Sequence, residues 1–75
     1  MSQIAHIRKE IFKVSQSVFA AIAGTTQATV SRWENGELEP SRDEMQRIRA
    51  EAKARDLAWD DSWFFETPAP ANEAA

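Results

Sequence analysis

The stretch Ser15 to Gly36, SQSVFAAIAGTTQATVSRWENG, decides how this chain folds. Ser15 stands where a helix needs an N-cap, its hydroxyl able to accept from an orphan backbone N–H. Val14 before it and Phe19 beyond it occupy the two positions of a hydrophobic staple. That helix is expected to run to about Ala23 and to end at Gly24, because glycine tolerates a left-handed C-cap. Ala20 is small where another helix must approach closely. Thr26 is a second N-cap, and a further helix is expected over about 27–34. Its apolar face is narrow, Val30 and Trp33 with Ala28 at the edge, while Gln27, Thr29, Ser31 and Arg32 point elsewhere. Asn35-Gly36 closes it.

Outside this stretch the pattern stays helical. Ile4, Ile7, Ile11 and Val14 recur every three or four residues, which predicts an amphipathic helix over about 3–13, capped by Ser2. A loop over 37–40 leads into Ser41-Arg42-Asp43-Glu44, whose Ser and Glu spacing matches a capping box. A fourth helix is expected over about 42–55, with Met45, Ile48 and Ala52 inward. After Arg55 the chain turns aromatic: Leu57, Trp59, Trp63, Phe64 and Phe65 crowd together, and Asp60 or Asp61 can cap a short helix. The run TPAPANEAA from Thr67 lacks periodicity and reads as a disordered tail. With two glycines, three prolines and no alternating β-branched residues, the chain reads as all-α. The expected architecture is a compact domain of four to five helices over 1–66, followed by the tail at 67–75.

Size and composition narrow the function. A chain of 75 residues buries a modest core, so its stability margin is thin. It has no cysteine, which removes disulfides and thiolate zinc sites and fits a reducing cytoplasm. No stretch approaches the ~18 apolar residues of a membrane span, and Met1 to His6 lacks the layout of a signal peptide. A soluble, cytoplasmic protein without membrane contact is expected. The net charge is −3, but it is unevenly placed. Residues 1–36 carry four basic and two acidic side chains, a net of +2, and residues 37–75 carry five against ten, a net of −5. A nucleic acid would feel the local field of the first half rather than the total.

Two short helices around a glycine turn, the second with a buried stripe and a polar outer face, meet the requirements of a helix-turn-helix unit. In that unit the second helix enters the major groove of DNA and presents its N-terminal side chains to base edges. Ser15-Gln16, Phe19-Ala20, Gly24-Thr25, Val30-Ser31-Arg32-Trp33-Glu34, Gly36 and Pro40 resemble the pattern of the Cro and repressor (Xre-type) family, without insertion. Thr25-Thr26-Gln27 and Glu34-Asn35-Gly36 also resemble lambdoid phage repressors. The resemblance covers about residues 4–55. It implies a lambda-repressor-like fold and a small transcriptional regulator of the kind found in phages and mobile elements.

Position by position, the resemblance implies that Gln16 holds a DNA phosphate and that Gln27 contacts base edges. A glutamine amide suits bidentate pairing with adenine N6 and N7. Ala28 would touch a thymine methyl, and Arg32 would reach guanine O6 and N7 or a phosphate. Thr29 and Ser31 are lesser base candidates; Thr26, Asn35 and Arg42 are backbone candidates. Glu34 would pair structurally with Arg8 or Lys9. Glu37 and Glu39 depart from the pattern, in a loop often lysine-rich in relatives, and each lost phosphate contact lowers the salt slope of log K by ~0.9.

Five large apolar side chains after residue 56 exceed what so small a monomer is expected to hide. Trp59, Trp63, Phe64 and Phe65 are therefore candidates for a homodimer interface, which would suit a palindromic operator. The rival reading is a protein-interaction module, antitoxin-like, whose acidic aromatic half grips a partner protein. An enzyme is not expected, for there is no nucleophile–histidine pair, no phosphate-cradling glycine loop and no carboxylate site. No cofactor is implied, and the single histidine, His6, makes no metal site.

Overall fold

The computed structural model describes residues 2–65; the tail expected at 67–75 lies outside them. Four α-helices appear in chain order: α1 (Gln3–His6), α2 (Gln16–Ala23), α3 (Gln27–Glu34) and α4 (Arg42–Ala54). A π-helical segment, Ile7–Phe12, continues α1, and a 3₁₀ turn, Asp61–Phe64, follows α4. The all-α expectation holds.

The N-caps are those the sequence marks. Ser2, Ser15 and Thr26 each accept from the backbone N–H three residues on. Ser41 and Glu44 form the reciprocal capping box. Asp60 caps the 3₁₀ turn, accepting from the N–H of Ser62 at 2.9 Å. The first helix departs from expectation. It is α-helical only to His6 and then widens into π turns, closing with the left-handed Lys13 (φ 57°, ψ 47°). The longer i→i+5 hydrogen-bond spacing advances the core-facing position by one residue. Phe12 is therefore buried and Ile11, expected on the core stripe, is half-buried.

The core joins Ile4, Ile7 and Phe12 to Phe19, Ala20, Ala23, Val30, Trp33, Ile48 and Ala52. Phe12 and Phe19 meet edge to face with centroids 5.6 Å apart, the geometry favoured by ring quadrupoles. Met45, expected inward with Ile48 and Ala52, is only half-buried. The helices of the deciding stretch end in paired cap bonds. At Gly24 (φ 76°) Thr25 N–H reaches Ala20 O at 2.9 Å, and at Gly36 (φ 80°) Glu37 N–H reaches Arg32 O at 2.9 Å. This is the Schellman arrangement, and it needs a left-handed residue at its centre. At α4 the same arrangement is built on Asp56 (φ 59°), with Leu57 N–H on Ala52 O at 2.9 Å.

Candidate nucleic-acid interface

Helix α3 has two unlike sides. Val30 and Trp33 are buried in the core, at 0% and 4% exposure. Gln27, Ala28 and Arg32 are exposed, and Thr29 and Ser31 are half-buried. The outer face is thus carried free of the globule, as a base-reading helix requires. Gly24 sets this geometry by turning the chain between α2 and α3. A Cβ placed there would lie 3.1 Å from Nη1 and 3.3 Å from Cδ of Arg47, which crosses the turn from α4.

Beneath the exposed face, side chains connect three elements. Arg8, on the π segment, donates from Nε to Glu34 Oε2 at 2.6 Å and from Nη2 to Oε1 at 3.1 Å. Its third nitrogen, Nη1, donates to the carbonyl of Val14 at 3.1 Å. Both charged side chains are 12% exposed. Of the two basic candidates, Arg8 takes the carboxylate; Lys9 is exposed and acts through its charge. Burial works against ionisation of Glu34, but hydrogen bonds from Arg8 and Gln16 and the charges of Arg8 and Lys9 outweigh it. Its pKa is held below the usual carboxylate value. The hydrogen bond to Glu34 raises the Arg8 pKa in turn, against a smaller opposing effect of burial.

Gln16, at the first position of α2, donates its amide to Glu34 Oε1 at 3.2 Å. Its carbonyl accepts from Gln27 Nε2 at 3.4 Å, and Ser17 donates to Gln27 Oε1 at 3.3 Å. The carboxamide of Gln27 is therefore held from α2 in the free protein. This connection runs between side chains distant in sequence, and Ser17 carried no signal that would have marked it. Thr26 and Thr29 share a bond between hydroxyls at 2.9 Å, so Thr29 is tied into the cap. Among the described residues Arg32 has no hydrogen-bond or ion-pair partner on its guanidinium. Asn35 and Arg42 are exposed at the two ends of the loop after α3.

A family model described as helix-turn-helix matches residues 4–51, well over half of the 75-residue chain. The chain belongs to the Cro/repressor (Xre-type) helix-turn-helix family. No curated protein and no solved structure matches it. The matched span takes in all of α2 and α3 and most of α4, and it stops short of the aromatic segment. This is a DNA-binding helix-turn-helix domain. Among the described residues no helix is long and apolar enough to cross a membrane.

Around the aromatic segment the monomer hides more than the sequence led us to expect. Leu57, Trp59, Trp63 and Phe64 pack against the core. Trp59 stands edge-on to Trp63 and Phe64, with centroids 5.6 and 5.2 Å away, and Trp63 stands edge-on to His6 at 5.6 Å. Of the four interface candidates only Phe65, at 70% exposure, projects its ring into solvent.

Proposed function

We propose that this protein is a sequence-specific transcriptional repressor that binds a palindromic operator in cytoplasmic double-stranded DNA as a homodimer. The observation that carries the reading is the exposed outer face of α3, with Gln27, Ala28 and Arg32 clear of the core while Val30 and Trp33 are sunk in it. Gln27 and Arg32 read base edges, Ala28 meets a thymine methyl, and Thr29 and Ser31 contribute less because they are half-buried. Gln16, Thr26, Asn35 and Arg42 hold the phosphate backbone. Two-fold pairing sets two such helices about one DNA turn apart.

Selection from random duplex DNA tests this reading. Gln27→Ala and Arg32→Ala should each cost ~1–3 kcal/mol of affinity and relax the preference at one base pair. Enrichment of the same sequence by all three proteins would remove these two side chains as readers. An Asn35→Ala or Arg42→Ala change should instead weaken all sequences alike and reduce the salt slope.

A further inference from the structure

Side chains of the π segment, α2 and α3 form one hydrogen-bonded series, and each link in it has a direction that the next must follow. It starts at Arg8, whose Nε and Nη2 engage both oxygens of Glu34 while Nη1 is anchored on the Val14 carbonyl. Glu34 is thereby held ionised, and a carboxylate can only accept. Gln16 must turn its NH2 end toward it, and does so at 3.2 Å from Oε1. That choice leaves the carbonyl end of Gln16 facing Gln27, so Gln27 must donate, from Nε2 at 3.4 Å. The Oε1 end of Gln27 then falls to Ser17, whose hydroxyl donates at 3.3 Å. A hydroxyl can donate or accept, and a carboxamide can present either end. Gln16, Gln27 and Ser17 could each be reversed; Glu34 could not, and it sets the direction of the rest.

We infer that Glu34, acting through Gln16, is a specificity-determining positioning residue for base reading by Gln27, with Ser17 closing the series. The inference rests on the proposal that Gln27 meets base edges, and adds which way round it meets them. With Gln16 and Ser17 engaged, the carboxamide of Gln27 keeps one N–H and one carbonyl lone pair, in a fixed order. Adenine offers an acceptor at N7 beside a donor at N6. The order of those two groups across the major groove reverses when A·T is replaced by T·A. A carboxamide of fixed polarity matches one order; in the other it sets donor against donor and acceptor against acceptor. Guanine, with acceptors at both N7 and O6, leaves the carbonyl unmatched. Glu34, its side chain 12% exposed and clasped by Arg8, thus chooses the strand on which adenine must lie without touching DNA. Ser17 is exposed on the first turn of α2 and holds the chosen order without dictating it.

The base pair concerned is the one whose preference Gln27→Ala erases in the selection described above. Competition between duplexes that carry A·T or T·A at that pair, and are otherwise identical, measures the orientation ratio for the full chain. Wild type should favour one orientation about 10-fold or more. Glu34→Gln supplies an amide that can donate as well as accept, so Gln16 and Gln27 can turn over, and the ratio should fall to within about 3-fold of parity or reverse. Ser17→Ala removes one hydrogen bond and should lower the ratio about 3-fold. The preference that Arg32→Ala erases should stay as in wild type in both variants. Gln16→Leu breaks the same series and leaves the Arg8–Glu34 ion pair in place, so it decides the matter if circular dichroism shows Glu34→Gln to be unfolded. A wild-type ratio in either folded variant overturns the inference. So does an equal loss of preference at every base pair, which would mark Glu34 as a support of the fold alone. A wild-type ratio in Ser17→Ala overturns the part given to Ser17. The base-reading role fails separately: it falls if Gln27→Ala erases no preference at all.

Discussion

The unit over 15–36 and the segments on either side of it reverse the chain in the same way with different residues. Within the unit, both left-handed positions are glycine, at φ 76° and 80°. Outside it, the first helix closes on Lys13 at φ 57° and α4 closes on Asp56 at φ 59°. A side chain with a Cβ in that region costs roughly 1–2 kcal/mol, somewhat less for Asp, whose short polar group can bond locally. The recognition unit is thus built from residues that suit their conformations, and the supports around it tolerate strain. Where the outer face of a helix must be presented in one orientation, local preference and global fold agree; where elements only need to cover the core, tertiary packing overrides preference.

Substitutions can break or sharpen this contrast. The largest expected effect is at Phe19, which is 0% exposed and meets Phe12 edge to face. Phe19→Ala should cost about 3–5 kcal/mol, enough to unfold most of so small a domain, and a urea titration would show it. A loss under about 1 kcal/mol would mean that the core does not depend on the unit.

Next comes the bridge between the unit and its support. Glu34→Ala leaves the Arg8 guanidinium, 12% exposed, without its anionic partner, and should cost about 2–3 kcal/mol. The same bridge predicts a pH dependence. Folding lowers the Glu34 pKa, so its stabilisation is complete above the unfolded carboxylate value and fades as pH falls through the lower folded one. Urea midpoints measured from neutral pH down to about pH 3 should fall less steeply in Glu34→Gln than in wild type. Equal slopes would show that the carboxylate is not coupled to folding.

Gly24→Ala ranks third. It meets both an unfavourable φ of 76° and the Arg47 side chain 3.1 Å from the new carbon. A loss of about 1–2 kcal/mol is expected, recovered in part by Arg47→Ala if the contact matters. The smallest effect has the opposite sign. Asp56→Gly should stabilise by about 0.5–1 kcal/mol by relieving the left-handed strain at the end of α4. A neutral result in thermal melts would mean that Asp56 already satisfies its turn.

Much of this arrangement was legible in the residues, and for stated reasons. Ser15, Thr26 and Ser41 announce helix starts because a side-chain oxygen beside an orphan N–H has few other roles. Gly24 and Gly36 announce stops because little else adopts their backbone angles. The narrow stripe of Val30 and Trp33 separated the buried side of α3 from its exposed one. Lys13 and Asp56 gave no such notice, since neither residue type prefers the conformation it holds. The π turn over 7–12 was hidden for a related reason. Ile4, Ile7 and Ile11 fit an α-helical period, and only the packing of Phe12 against Phe19 exposes the extra residue. The hold on Gln27 from Gln16 and Ser17 depends on how α2 and α3 cross, which spacing along the chain does not encode. The aromatic segment announces only its bulk in the sequence; the partial burial of Trp59 and Trp63 depends on the packing of Trp59 against Phe12 and of Trp63 against His6.

The tethered carboxamide of Gln27 has a consequence for selectivity. With its oxygen steadied by Ser17 and its nitrogen by Gln16, the amide plane would, in the proposed base-reading role, meet DNA with its rotation already chosen. Little disorder is then surrendered on docking, which favours slow release over fast capture. A pre-set plane also cannot swivel to suit another base. A Gln16→Ala protein should therefore tolerate more operator variants than wild type, a loosening at a base pair that Gln16 itself never touches.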